Sequence, residues 1–150
     1  MAIWTPPQNI RVKVLGLAWR GDELLLADVE DSDGRVTGVR PLGGSIEFGE
    51  TREGALVREF REELGCDVTV VGPWHAFENL FEHEGAIGHE YLFAADITLG
   101  DPALYARDAL RFLESDASDC RARWICPTRL PPGVHLYPTA LLPLVRRASP

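Results

Sequence analysis

An α/β chain of the α+β kind is predicted by three observations. Apolar residues alternate with polar ones from Ile10 through Val12 and Val14 toward Trp19, the period-two signature of a strand. Residues 51–64 carry a helical apolar stripe, flanked by a glycine-rich loop before and by Gly65 after. Strand-like runs resume beyond Gly65, and a further helix fits the C-terminal end. Strands on both sides of one long helix place α and β elements together in one domain over residues 1–150.

Taken in order, residues 1–9 with Pro6-Pro7 read as an extended lead-in to the first strand. Arg20-Gly21-Asp22 is a turn, Glu23 to Val29 a second strand, and Asp31-Ser32-Asp33-Gly34 a polar turn. That turn lacks the spacing and terminal glutamate of a calcium loop. A short strand at Thr37 to Arg40 leads into a loop beginning Pro41-Leu42-Gly43-Gly44. After the helix, strands are expected at Asp67 to Val71, Trp74 to Phe81 and His89 to Thr98, with a turn over His83 to Gly88. Ala103 to Leu110 reads equally as a short helix or as part of a long loop. Arg111 to Glu114 and Arg121 to Cys126 form a hairpin candidate around Ser115 to Asp119. Pro127 to Pro138 is a proline-punctuated loop. Thr139 is the expected N-cap of the last helix, with Pro143 in the first turn where its missing N–H is harmless.

One hundred and fifty residues, 45% hydrophobic and 25% charged, suit a globular domain with its own core. A net charge of −8 argues against a protein that grips long nucleic acid through a basic face. It leaves a small phosphorylated substrate open, because a bound metal reverses the local field. Cys66, Cys120 and Cys126 are odd in number and form no CxxC pair, so a reducing compartment is the default. With no signal-like start and no membrane-length apolar run, a cytoplasmic location is expected, without membrane partners. The apolar Ile3 and Trp4 fit docking on a partner subunit or back on their own domain, so monomer and homodimer both stay open.

The chemistry concentrates in Gly43 to Cys66, GGSIEFGETREGALVREFREELGC. Thr51 is a plausible N-cap, Glu53 falls one place early for a capping box, and Gly65 suits the left-handed C-cap. At about 100° per residue, Glu59, Glu62 and Glu63 share an arc of roughly 100°. Leu56, Val57, Phe60 and Leu64 occupy the adjacent, core-facing arc. Like charges three and four apart repel, so three carboxylates with one arginine call for a cation. Oxygen ligands of this kind suit hard divalent ions, Mg²⁺ in particular. A carboxylate-rich helix alone is most often a solvated face; the fixed spacing is what changes the weighing.

That spacing resembles the Nudix box, Gly-x5-Glu-x7-Arg-Glu-U-x-Glu-Glu-x-Gly-U, with U a bulky apolar residue. Gly44, Glu50, Arg58, Glu59, Glu62, Glu63 and Gly65 match every fixed position, a coincidence on the order of 10⁻⁸ per starting point. The U positions hold Phe60 and Cys66, where an aliphatic residue is more usual, a departure that touches packing alone. The resemblance implies the Nudix fold, a mixed sheet sandwiched between helices with the box as loop–helix–loop at its edge. It also implies hydrolysis of a nucleoside diphosphate linked to another group, using Mg²⁺ or Mn²⁺. By matching position, Glu59, Glu62, Glu63 and the Gly44 carbonyl would hold metal. One box glutamate would take the water's proton, and Arg58 would pair with Glu50 to orient a neighbouring carboxylate.

Family members often add one acid from outside the box, for which Glu90, Glu114, Asp116 and Asp119 are candidates, each more often a surface carboxylate. His75, His83, His89 and His135 have no metal-ligand spacing, although His89 beside Glu90 has the chemistry of an acid or base. Trp74, Phe77, Phe81 and Tyr91 offer ring faces to a nucleobase, against the commoner role of packing the sheet. The downstream markers of three subgroups, ADP-ribose, diadenosine polyphosphate and NADH hydrolases, are absent, which leaves the nucleotide substrate open. A non-catalytic nucleotide-sensing module on the same fold is the alternative, one with little need for an intact box. Hydrolysis at an RNA 5′ end is disfavoured by the acidic balance.

Overall fold

A computed structural model describes residues 4–114 and 116–148. Strands β1 (Ile10–Arg20), β2 (Glu23–Glu30) and β3 (Val36–Ser45) precede helix α1 (Arg52–Leu64). Then come β4 (Val68–Val70), β5 (His75–His83), β6 (Ala86–Leu99), β7 (Ala109–Leu113), β8 (Asp119–Ile125), β9 (His135–Leu136) and helix α2 (Leu142–Ala148). Short 3₁₀ turns lie at Pro102–Ala106 and Thr139–Leu141.

The strands form one mixed sheet in the order β4-β6-β1-β3-β2-β8-β7, with β5 also on β6 and β9 on β3. β1 runs parallel to β6 and antiparallel to β3, and its last two residues turn into a hairpin with β2. Side chains alternate across this sheet, so each face builds its own apolar layer. On one face Val14, Ala18, Leu25, Ala27 and Leu42 pack against Ala55, Leu56 and Phe60 of α1. On the other, Leu15, Leu17, Leu24, Leu26 and Val39 pack against Leu141 and Val145 at the α2 end. The sheet therefore lies between two helices, the expected α+β sandwich. Gly16 lets α1 pack close to β1, since a Cβ there would meet the Phe60 ring at 2.8 Å. Burial of Phe60, 1% exposed, contributes about 1.5–3 kcal/mol.

Several expectations change. Pro41 to Gly44 do not leave the sheet: β3 runs on to Ser45, with Gly44, Gly43 and Leu42 opposite Val14, Leu15 and Gly16. Proline and glycine signalled a loop, but the neighbouring strand supplies the pairing. Ile10 and Val12 share the α1 face yet are 58% and 40% exposed, because the apolar layer under α1 begins at Val14. The expected turn over His83 to Gly88 shrinks to Glu84-Gly85, both at positive φ (51° and 76°), as a two-residue hairpin requires. The ambiguous segment after Gly100 resolves into the 3₁₀ turn at Pro102–Ala106 followed by β7. β7 pairs with β8 as the expected hairpin, whose Ser115 lies outside the described residues. The proline loop contains β9, too short to leave a period in sequence, which runs parallel to β3. Thr139 caps no α-helix; it opens the 3₁₀ turn, and Pro143 falls in the first turn of α2 as expected. Trp4 docks on its own chain, its ring 5.6 Å from His83 and under the Arg11 guanidinium; Ile3 lies outside the described residues.

Candidate active site

The ends of α1 are set locally. Thr51 Oγ1 accepts the Gly54 N–H at 3.0 Å, and Gly65, left-handed at φ 66°, donates its N–H to the Arg61 carbonyl. With both ends fixed and Leu56 and Phe60 pinned to the sheet, the next face of the helix is turned to the end of β3. There Glu59 lies on Gly44: a Cβ at that position would be 2.3–2.5 Å from the Glu59 carboxyl group. Only glycine leaves room for the carboxylate beside the backbone.

Arg58 gathers the loop and helix. Its Nε donates to Glu50 Oε2 at 2.6 Å and its Nη2 to Glu50 Oε1 at 2.8 Å, a forked pair. Nη2 also donates to the Ser45 carbonyl, and Nη1 to Glu59 Oε1 at 3.0 Å and, at 3.4 Å, to Glu62. Glu50 Oε1 accepts in addition the backbone N–H of Glu47. The Arg58 hydrogen bond, then the Glu47 N–H, hold the Glu50 carboxyl down at a pKa of about 2. Arg58 is pushed up in return, Glu50 again the chief cause.

Glu59, Glu62 and Glu63 differ sharply. Glu62 is open to solvent, its side chain 55% exposed, while that of Glu59 is 13% exposed. Glu63 Oε2 is sealed and has no hydrogen-bond partner. Burial raises the Glu63 carboxyl to a pKa of about 8; Arg40 and Lys13 pull it down while Glu59 adds to the rise. Arg58 engages Glu50, Glu59 and Glu62, and no three acidic, histidine or cysteine side chains among the described residues converge as a ready cage for an ion.

The acids outside the box are each engaged. Glu90, 6% exposed, accepts from Arg11 at 2.5 Å and Asn79 at 3.2 Å. Glu114 pairs with Arg40, whose charge reaches Glu63, so it is the outside acid tied most directly to the box. Asp116 caps its own turn through Ser118, and Asp119 pairs with Arg111 in the open. His89 meets Glu78 at 3.3 Å instead of reaching toward the box. Of the aromatic residues, Trp74 and Phe93 lie under the Arg52 guanidinium, and Phe81 covers Gly88. Phe77 packs in the α2 layer, and Tyr91 stays 44% exposed. Lys13 and Arg40 were not singled out from sequence. The available signal was a cation flanked by apolar residues within a strand, Lys13 between Val12 and Val14 and Arg40 between Val39 and Pro41.

Comparison with known proteins shows the family and the fold. The family model of the NUDIX domain matches residues 9–142. The NAD-capped RNA hydrolase NudC of Pseudomonas putida (strain W619) is 35% identical over 125 residues. That match covers 83% of this chain but 39% of the relative, so the chain spans about two fifths of that protein's length. The solution structure of the E. coli ORF135 protein superposes with a TM-score of 0.54 at 24% identity, over 91% of this chain and 86% of that one. An ADP-ribose pyrophosphatase from Streptococcus suis 89-1591 gives a TM-score of 0.55 at 16% identity, over 93% and 91% of the two chains. At these identities the two structures show a shared fold.

Proposed function

The chain belongs to the NUDIX domain family, and from that premise we propose that it is a metal-dependent pyrophosphohydrolase. Its substrate class is a nucleoside diphosphate linked to another group, with water attacking phosphorus. One observation carries the proposal: the sealed, partnerless Glu63 Oε2 lies in the same electrostatic cluster as Glu59, which itself rests on Gly44. A buried carboxylate oxygen without a donor is costly to a bare protein and suits a divalent cation.

The donor set fits Mg²⁺ or Mn²⁺, with Glu59, Glu62, Glu63 and the Gly44 carbonyl as the holding groups. Such an ion, when bound, neutralises charge on a diphosphate and lowers the pKa of an attacking water. The remaining work falls to the chain itself. Glu50 and Arg58, through their forked pair, hold the loop against the helix and keep Glu59 aimed along β3. Glu63 keeps one oxygen sealed close to Glu59, where burial raises its carboxyl to a pKa of about 8 before an ion binds. Glu62 is the most accessible of the three and the least constrained, free to turn toward an ion or a water.

The test is product analysis on nucleoside triphosphates, nucleotide sugars, ADP-ribose, dinucleoside polyphosphates, NADH and NAD-capped RNA, with Mg²⁺ or Mn²⁺. Wild type and Glu62→Gln run side by side. Cleavage that needs metal and is lost in the variant supports the proposal; a wild type no faster than the variant on every substrate refutes it. A cytoplasmic location is carried with the proposal, on the three free cysteines.

A further inference from the structure

Lys13 sits on β1 directly across from Ser45, the residue after Gly44. Its side chain is 26% exposed, and the amine lies in the fields of Glu90, Arg40 and Arg11. The nearest counter-charge, Glu90 Oε2, is 3.8 Å from Nζ, too far for a hydrogen bond. Burial lowers the pKa of the Lys13 amine; Glu90 opposes the shift, Arg40 and Arg11 add to it, and Glu59 opposes it.

Three cations lie within electrostatic reach of Glu59 or Glu63: Arg58, Arg40 and Lys13. Arg58 spends its donors on Glu50, Glu59, Glu62 and the Ser45 carbonyl. Arg40 is committed to Glu114 and to the Pro41 carbonyl. The Lys13 ammonium makes no hydrogen bond among the described residues. An ammonium with three free donors, held off a buried carboxylate, is matched to a ligand oxygen that brings its own negative charge. A diphosphate has such oxygens on more than one side, and those turned away from the carboxylates need a donor from the protein.

We propose that Lys13 is a substrate-contacting residue whose ammonium binds a non-bridging phosphate oxygen of the diphosphate, and that Glu90 is the positioning residue that keeps it there. This rests on the pyrophosphohydrolase reading and assigns Glu90 to substrate binding instead of metal ligation. Arg11 and Asn79 hydrogen-bond Glu90 and fix its carboxylate, which stands 3.8 Å from the Lys13 Nζ.

The probe is methylenediphosphonate, a diphosphate that cannot be hydrolysed, titrated calorimetrically with Mg²⁺ into wild type, Lys13→Met, Lys13→Gln and Lys13→Arg. KM and kcat are measured in parallel on the panel substrate that wild type cleaves best. Losing one charge-assisted hydrogen bond should weaken binding about tenfold or more and raise KM to match, with kcat less affected. Lys13→Arg should recover most of the affinity. Two neutral variants are used so that at least one keeps the wild-type melting temperature. Binding and KM within about twofold of wild type in a folded neutral variant overturn the assignment while leaving the pyrophosphohydrolase reading intact. A wild type that neither binds the probe nor cleaves any substrate overturns both.

Discussion

Replacing Glu63 by glutamine should make the metal-free protein more stable above neutral pH. The folded carboxyl has a pKa of about 8 against an ordinary value of 4.5, burial being the main cause. A raised acid pKa means that folding takes up a proton between those two values. Stability is therefore undiminished below pH 4.5, falls as pH climbs from 4.5 to about 8, and carries the full cost above that. At about 1.4 kcal/mol per pH unit the full cost approaches ~5 kcal/mol. Between pH 5.5 and 8.5 roughly 3 kcal/mol of it should develop. Glutamine is neutral throughout, nearly isosteric, and able to donate to Glu59, so it escapes this loss. The gain in Tm for Glu63→Gln at pH 8.5 should be on the order of 10–15 °C, at roughly 3 °C per kcal/mol in a chain this size. Calorimetry in EDTA across pH 5.5–8.5 reads both curves, which should draw together toward the acid end and meet below about pH 4.5. On the proposed metal-dependent reading, adding Mg²⁺ should then raise wild type more than the variant, which lacks one of the proposed carboxylate ligands. Parallel curves, or a variant less stable at pH 8.5, would refute the assignment of a buried, strained carboxylate at this position.

Two neighbouring glycines should respond in opposite ways. Gly43→Ala places a Cβ 1.9 Å from the Val14 carbonyl oxygen, a backbone clash, and should unfold or severely destabilise the protein by thermal melt. Gly44→Ala meets only the movable end of Glu59, so Tm should shift by about 2 °C or less while turnover drops about tenfold or more. Phe60→Ala empties a fully buried site and should cost about 3–5 kcal/mol in urea unfolding. Glu50 has a folded pKa of about 2, so its pairing with Arg58 stabilises the fold above pH 4.5 and is lost as pH falls toward 2. The Tm of Glu50→Gln should accordingly fall less steeply than that of wild type between pH 4.5 and 3.

The box was legible because its constraints are local. A helix start needs a capping oxygen at Thr51, its stop needs a residue tolerant of positive φ at Gly65, and one helix face fixes which residues travel together. Those requirements are written within some twenty consecutive residues, as was the forked pairing of Arg58 with Glu50. Strand-forming stretches were legible for the same reason, through their period of two. The path of Pro41 to Gly44 was not, because whether such residues form a loop or a strand depends on Val14 and Leu15 lying alongside. The same holds for β9, two residues long and defined only by β3.

The sequence by itself determined the family, the carboxylate set and the helix that carries it, since each depends on spacing along the chain. Tertiary structure alone decided how three similar glutamates came to differ. Glu62 faces water, Glu59 rests on Gly44, and half-buried Glu63 has one oxygen sealed, in the fields of Arg40 and Lys13. Burial and charge environment are set by strands distant in sequence, and they act on each carboxylate by position in space.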